Sequence, residues 1–229
     1  MKKFLDKYGQ FCFNVFLFFF FLDVTAHRIY ENSLMLKHDG GWYGIYFAGH
    51  WGDAAWSNLQ FSDWSFLLQN FVMCTLLLIR FRHKELDCNW LHQAIAMLAF
   101  ISGAFMFGSP AFENHSILLI SSGVIFAANL LGIMSLFNLG RSFGILIALR
   151  RVKTGGVYSV VRHPMYCSDM LLRFGFIIGH FSVFTVLLGI FSIACYVMRA
   201  IFEERFLSCN EEYKVYMSKV KYRFIPFIY

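Results

Sequence analysis

MYCSDMLLRFGFIIGHFSVFTVLLGIFSIACYVMRAIFEERFL runs from residue 165 to residue 207. Two apolar runs, Met165 to Phe181 and Ser182 to Leu207, meet at Gly179, His180 and Phe181. A bilayer-spanning helix needs about 20 mainly apolar residues. The stretch therefore reads as a tight hairpin of two membrane helices. Six charges interrupt it: Asp169, Arg173, Arg199, Glu203, Glu204 and, at the membrane boundary, Arg205. Charge inside a span is costly and is either paired or functional. Asp169 and Arg173 are four apart, as are Arg199 and Glu203, so each couple shares a helix face. Two masking ion pairs are one reading. The other is a polar site, because Glu204 and the preceding loop sit at the level of Arg199 and Glu203.

Working outward, four more segments have the same character. Tyr8 to Ala26 is the weakest, and Phe61 to Ile79, Trp90 to Ser109 and Ser116 to Phe137 are stronger, with Pro110 ending the third. The first segment also has signal-peptide features: Lys2 and Lys3, a short apolar core, and a Val-Thr-Ala step at residues 24 to 26. Composition agrees with a lipid solvent. The 229 residues are 58% hydrophobic and 15% charged, with 29 phenylalanines, whereas soluble domains carry about 25% charged residues. The expected fold is all-α, a multi-span membrane protein of about six transmembrane helices. Residues 1–138 would form the N-terminal helices and 139–229 a C-terminal functional region.

The net charge of +6 is explained by topology. Lys and Arg cluster at the N-terminus, at 80–84, at 141–162 and in the tail from Arg205 to Arg223, 16 in all. The alternate connections hold only Arg28 and Lys37. Positive residues mark cytoplasmic loops, so both termini are expected in the cytoplasm, in a bacterial inner membrane or an endoplasmic reticulum membrane. A nucleic-acid role is not expected. The segment 27–60, with Trp42, Trp51, Trp56 and the sequence His50-Trp51-Gly52-Asp53, reads as an interfacial loop on the other side. Asn114-His115-Ser116 is a formal glycosylation triplet there. The six cysteines lack C-x-x-C spacing and the eight histidines lack metal-binding patterns, so neither a disulfide framework nor a metal site is expected.

Just before the hairpin lies GGVYSVVRHPMYCSD, residues 155–169. The paired glycines permit a tight turn. Pro164 pushes His163 out of helical geometry. The result is a shaped, polar loop at the cytoplasmic membrane surface, whose exposed backbone groups need partners. A polar cofactor supplies such partners. No P-loop, G-x-G-x-x-G or G-x-S-x-G motif is present.

The stretches LGRSFGILIALRRVKTGGVYSVVRHPMY, from residue 139, and EERFLSCNEEYKVYMSKVKYRFIP, to residue 226, resemble the isoprenylcysteine carboxyl methyltransferase family and its bacterial relatives. Four elements occur in order: Gly-Val-Tyr, Arg-His-Pro-x-Tyr, Glu-Glu-x-x-Leu and Tyr-x-x-Tyr followed by Arg-x-x-Pro. The resemblance implies S-adenosylmethionine bound in a cytoplasm-facing pocket of the last helices. It implies cofactor contacts from Arg150, Arg151, Val152, Lys153, Tyr158, His163, Pro164, Met165, Tyr166 and Glu203. Arg199 would face the substrate. Glu203 suits the cofactor's ammonium, the tyrosine rings suit a sulfonium, and Lys153 or Arg162 suits its carboxylate. Arg199, Arg162 and Glu204 are the candidate catalytic residues, Glu204 as the base if the acceptor is an amine. The expected acceptor is small or lipidic, an isoprenylcysteine-like carboxylate, a thiol or another apolar molecule arriving from the bilayer.

A second resemblance competes. Sterol and steroid reductases share an Arg-His-Pro-x-Tyr-x-x-Asp element, matched by Arg162 to Asp169, and a Tyr-Arg-x-x-Pro-x-Ile-Tyr ending, matched by Tyr222 to Tyr229. That resemblance implies an NADPH-dependent reductase. A transporter is disfavoured, since the charges lie toward one face rather than at mid-membrane.

Overall fold

The computed structural model describes residues 14–19, 22, 25, 61–106 and 114–228. The expected first span lies mostly outside these, although 14–19, 22 and 25 are helical. The segment 27–60, Pro110 and the final tyrosine also lie outside them.

Among the described residues, six α-helices follow residue 60: α1 (Phe61–Ile79), α2 (Trp90–Ile101), α3 (His115–Leu139), α4 (Pro164–Gly179), α5 (Val183–Leu207) and α6 (Glu211–Lys219). Their ends follow local chemistry. Asn89, Asn114, Ser182 and Asn210 cap α2, α3, α5 and α6 with their side chains, each accepting from a backbone N–H that the helix leaves unpaired. The asparagine of the formal glycosylation triplet is thus a helix cap. Ser182 and Thr185 form a reciprocal capping box, and Thr185 Oγ1 also donates to the His180 carbonyl at 2.7 Å. These contacts close the hairpin turn between α4 and α5 where the sequence places it. Pro164 occupies the first turn of α4, where its missing N–H costs nothing.

Three stretches are long and apolar enough to cross a membrane: Phe61–Ile79, His115–Ser142 and Val183–Leu207. The expectation of about six spans exceeds this count among the described residues. The expected span from Trp90 is α helix only to Ile101 and continues as a 3-10 turn to Met106. Helix α4, with 16 residues, reaches about 24 Å, short of the roughly 30 Å hydrocarbon core. It carries the buried Asp169 and Arg173 and packs along α3 rather than facing lipid all round. The protein is mostly helical, as expected, with one small addition. Glu85–Leu86 pairs antiparallel with Ala148–Leu149.

The α3–α4 contact depends on small residues, as in other membrane helix pairs. Ser121 Oγ donates to the Gly175 carbonyl at 2.7 Å and Ser168 Oγ to the Ala128 carbonyl at 2.8 Å. A Cβ on Gly132 would come within 2.6 Å of both Gln69 Oε1 and Ser168 Oγ, so α1, α3 and α4 converge there. Asn129 Nδ2 donates to Ser65 Oγ at 2.8 Å and joins α3 to α1. The core includes Met73, Leu77, Leu136, Ile145, Met165 and Tyr196. Phe61, Phe137, Phe174 and Leu187 point outward, which suits an acyl-chain solvent.

Candidate functional site

Between α3 and α4 the chain leaves the α-helix, broken only by short 3-10 turns at Gly140–Ser142 and Gly156–Ser159, and folds against the end of α5. Several long-range contacts fix this segment. Gln93 grips Ile147, donating from Nε2 to its carbonyl at 2.9 Å and accepting its N–H at 3.0 Å. Arg199 reaches across from α5, donating from Nη2 to the Ile145 carbonyl at 2.5 Å and from Nη1 to the Ala96 carbonyl at 3.2 Å. Gly156 adopts φ +60°, and a Cβ there would overlap the Asn138 amide.

The tail closes the other side. Arg162 and His163 donate their backbone N–H groups to the Tyr222 and Arg223 carbonyls, both at 2.9 Å. Tyr216 donates its hydroxyl to the Tyr158 carbonyl at 2.7 Å. Glu204 is the hub beneath these contacts. Its Oε1 accepts from Arg162 Nε at 2.7 Å and bonds His163 Nε2 at 3.0 Å, and its Oε2 accepts from Arg223 Nε at 2.9 Å.

A cavity of about 120 Å³ lies inside this frame. Arg150, Arg151, Val152, Lys153, Tyr158, His163, Met165, Tyr166 and Glu203 all border it, as do Arg162 and Arg199. Two expected site residues do not. Pro164 is fully buried at the start of α4, and Glu204 is directed into its ion cluster. Neighbours on a helix point about 100° apart, so Glu203 and Glu204 serve different surroundings. With both oxygens engaged by Arg162, His163 and Arg223, Glu204 is poorly placed to take a proton from an acceptor. Arg162 is committed likewise: besides Glu204, its Nη1 donates to the Val220 and Lys221 carbonyls at 2.9 and 2.8 Å.

The masking ion pairs also take another form. Arg199 forms no ion pair with Glu203 within 4.0 Å among the described residues; it lies over the Tyr166 ring at 4.8 Å. Glu203 accepts a hydrogen bond from the Tyr166 hydroxyl. Arg173 meets the Asp169 carboxylate only at 4.0 Å, while the Tyr196 hydroxyl donates to that carboxylate at 2.9 Å. Arg151 turns toward Phe81, its guanidinium 4.5 Å from the ring centroid.

The electrostatics are asymmetric. Arg150 is 9% exposed, and burial holds it below the usual guanidinium range, with Glu203 partly offsetting this. An arginine does not give up its proton in a protein, so Arg150 is a charge short of compensation. Among the described residues, three buried polar atoms of cavity-lining side chains have no hydrogen-bond partner: Arg150 Nε, Arg199 Nε and Ser142 Oγ. Burial also pushes the Tyr158 phenol well above its ordinary range, Glu203 adding to the effect. Tyr158 therefore serves as a neutral ring.

Sequence reasoning omitted several wall residues. Ser142, Phe143, Gly144 and Ile145 form one side, and Tyr213 and Tyr216 another. The spacing Gly140-Arg141-Ser142-Phe143-Gly144 was the available signal for the first group. A Cβ on Gly144 would overlap the Arg150 guanidinium, so this glycine makes room for that side chain.

These residues suit a zwitterionic cofactor with a cationic centre. A carboxylate would find Arg150 and Ser142, an ammonium Glu203, and a sulfonium the faces of Tyr158 and Tyr166. Comparison with known families agrees. Residues 115–214 match the model of the family described as phospholipid methyltransferase. The match covers rather less than half of the chain and takes in α3, α4, α5 and the start of α6. No curated protein matches the chain. The chain is an integral membrane, multi-span enzyme, an S-adenosylmethionine-dependent methyltransferase.

Proposed function

We propose that the cavity around Glu203 and Arg150 binds S-adenosylmethionine and that the methyl group passes to a lipid-like acceptor drawn from the bilayer. The supporting observation is that Arg150, Arg199 and Ser142, each with a buried polar atom that no described residue partners, line the same cavity as Glu203. When bound, the cofactor supplies an electrophilic methyl group on a sulfonium.

The chain's own residues orient and shield. Glu203, held by the Tyr166 hydroxyl, offers a fixed acceptor for an ammonium. Arg150 replaces Lys153 and Arg162 as the carboxylate partner, because Arg162 spends its donors on Glu204 and the tail. Arg199 acts mainly as a positioning residue: it ties α5 to α2 and to the 143–149 wall, and it borders the cavity. Tyr158 and Tyr166 present rings where positive charge would sit, and Phe100, Leu207 and Tyr213 keep water out. Methyl transfer is in-line, so alignment and exclusion of water supply most of the acceleration. The charge distribution favours this site facing the cytoplasm, with both termini on that side.

Thermal unfolding of the purified chain tests the donor site. A ligand present at about 100 times its Kd adds about 2.7 kcal/mol to stability, so S-adenosylhomocysteine should raise Tm and NADP⁺ should not. A shift with NADP⁺ alone would return the chain to the reductase reading that Asp169 invites.

A further inference from the structure

The α1–α2 connection and the start of α2 lie before the stretch matched to the methyltransferase family, yet they hold a wall of the donor cavity. From residue 145 to 149, alternate carbonyls are engaged from outside the segment: Ile145 by Arg199 Nη2 at 2.5 Å, Ile147 by the Asp87 N–H at 3.2 Å and Leu149 by the Lys84 N–H at 2.8 Å. Glu85 and Leu86 stand opposite Leu149 and Ala148, so Asp87 stands opposite Ile147. Antiparallel partners bonded in this way normally exchange both N–H to carbonyl bonds. Here a side chain takes over the return bond. Ile147 donates its N–H to Gln93 Oε1 at 3.0 Å, and Gln93 Nε2 donates to the Asp87 carbonyl at 2.8 Å and to the Ile147 carbonyl at 2.9 Å.

We propose that Gln93 is a positioning residue for the methyl donor. Its amide, wedged into the end of the ladder, fixes where the 148–150 wall and its Arg150 guanidinium stand, although Gln93 does not itself border the cavity. The inference rests on that cavity being the methyl-donor site. Ala148, Leu149 and Arg150 follow Ile147 directly and border the cavity, so a displacement of Ile147 is passed to them along the chain. Ile147 is fully buried, and a buried N–H needs a partner within the protein. The amide has one orientation that serves: two carbonyls face its nitrogen and one N–H faces its oxygen, and a turned amide would set oxygen against oxygen. Its aim comes from a locked helix start. The Asp87 carboxylate accepts the Asn89 N–H at 2.9 Å and bonds His92 Nδ1 at 2.7 Å. The His92 ring stacks on Phe202, the residue before Glu203, with centroids 4.1 Å apart. Arg199 then binds the Ala96 carbonyl, about one turn after Gln93, as well as Ile145.

The test compares the full chain in lipid nanodiscs with Gln93→Leu, which keeps the bulk of the side chain and removes its hydrogen bonds. Hydrogen–deuterium exchange without ligand should be faster in the peptide spanning residues 145–150. S-adenosylhomocysteine affinity, read by titration calorimetry, should fall by about tenfold, the equivalent of one charged hydrogen bond. Arg150→Ala separates positioning from general loosening. If Gln93 acts through the wall that carries Arg150, adding Gln93→Leu to Arg150→Ala weakens binding little further, as expected of coupled residues. Fully additive losses mean general loosening and overturn the proposal. Gln93→Glu keeps the acceptor for the Ile147 N–H but turns an oxygen on the two carbonyls. It should also weaken binding, and it decides the matter if Gln93→Leu does not fold. Parent-like affinity in both variants overturns the positioning role. Failure of the parent chain to bind S-adenosylhomocysteine would instead remove the donor-site reading. The ligand-free exchange rates remain a separate measure of the hold on Ile147, and unchanged exchange at 145–150 in Gln93→Leu overturns that hold.

Discussion

Arg162 and Glu204 form a nearly dry ion pair, Nε to Oε1 at 2.7 Å, with side chains 9% and 4% exposed. Arg162 belongs to the loop before α4 and Glu204 to the last turns of α5. Arg223 joins from the tail at 2.9 Å. One carboxylate thus ties together three parts of the chain that frame the donor cavity. Removing one partner of a buried pair leaves the other charge uncompensated, which costs about 3–5 kcal/mol. Glu204→Gln should therefore lower Tm markedly and expose the tail after residue 208 to limited proteolysis. A variant as stable and protease-resistant as the parent would show that the cluster adds nothing to the fold.

The adjacent Glu203→Gln should behave in the opposite way. Glu203 touches the Tyr166 hydroxyl and borders the cavity, and among the described residues no cation lies within 4.0 Å of it as an ion-pair partner. A hydrogen bond to a charged group contributes about 1.5–3 kcal/mol. S-adenosylhomocysteine binding, read by titration calorimetry, should weaken by roughly 10- to 100-fold, with Tm of the ligand-free protein nearly unchanged. Undiminished affinity would confine Glu203 to holding Tyr166.

Gly156 offers a test of the wall itself. Its φ of +60° and its closeness to Asn138 are both unfavourable to a side chain. Left-handed backbone at a non-glycine residue costs of order 1–3 kcal/mol, and the overlap adds to it. Gly156→Ala should lower Tm and weaken S-adenosylhomocysteine binding together. Asn138→Ala in the same chain should restore part of the loss, since it relieves the overlap but not the backbone strain. Absence of any rescue would mean that Asn138 does not set the path of the turn.

Much of this was readable from residue order. Apolar length placed α1, α3 and α5 within two residues of their observed ends, because burial in lipid dictates composition directly. Pro164 marked the start of α4, and the Gly179–Ser182 step marked the hairpin turn. The polar loop of residues 155–166 was found because it interrupts apolar sequence. What stayed hidden depends on partners distant in sequence. The i, i+4 spacing of Arg199 and Glu203 suggested a mutual pair, yet Arg199 is directed to carbonyls 54 and 103 positions away. Nothing local distinguishes Glu203 from Glu204; only the arrival of Arg162, His163 and Arg223 decides which one leaves the cavity. The wall at 142–145 was missed because it has no periodicity, its shape being set by the grip of Gln93 on Ile147 and of Arg199 on Ile145.

Gly144 and Arg150 give the most direct test of the carboxylate end of the donor site. The Arg150 guanidinium lies where a Gly144 Cβ would be. The clash is with the end of a flexible side chain, so Gly144→Ala should fold normally while displacing the guanidinium. The expected result is weaker S-adenosylhomocysteine binding, by about tenfold for one charged hydrogen bond. Arg150→Ala should show a loss at least as large. If the glycine acts only by making room for the arginine, the double variant binds no more weakly than Arg150→Ala alone, a non-additivity typical of residues in contact. Fully additive losses would instead mean that residue 144 meets the ligand independently, and Arg150 would lose its assignment as the group that Gly144 positions.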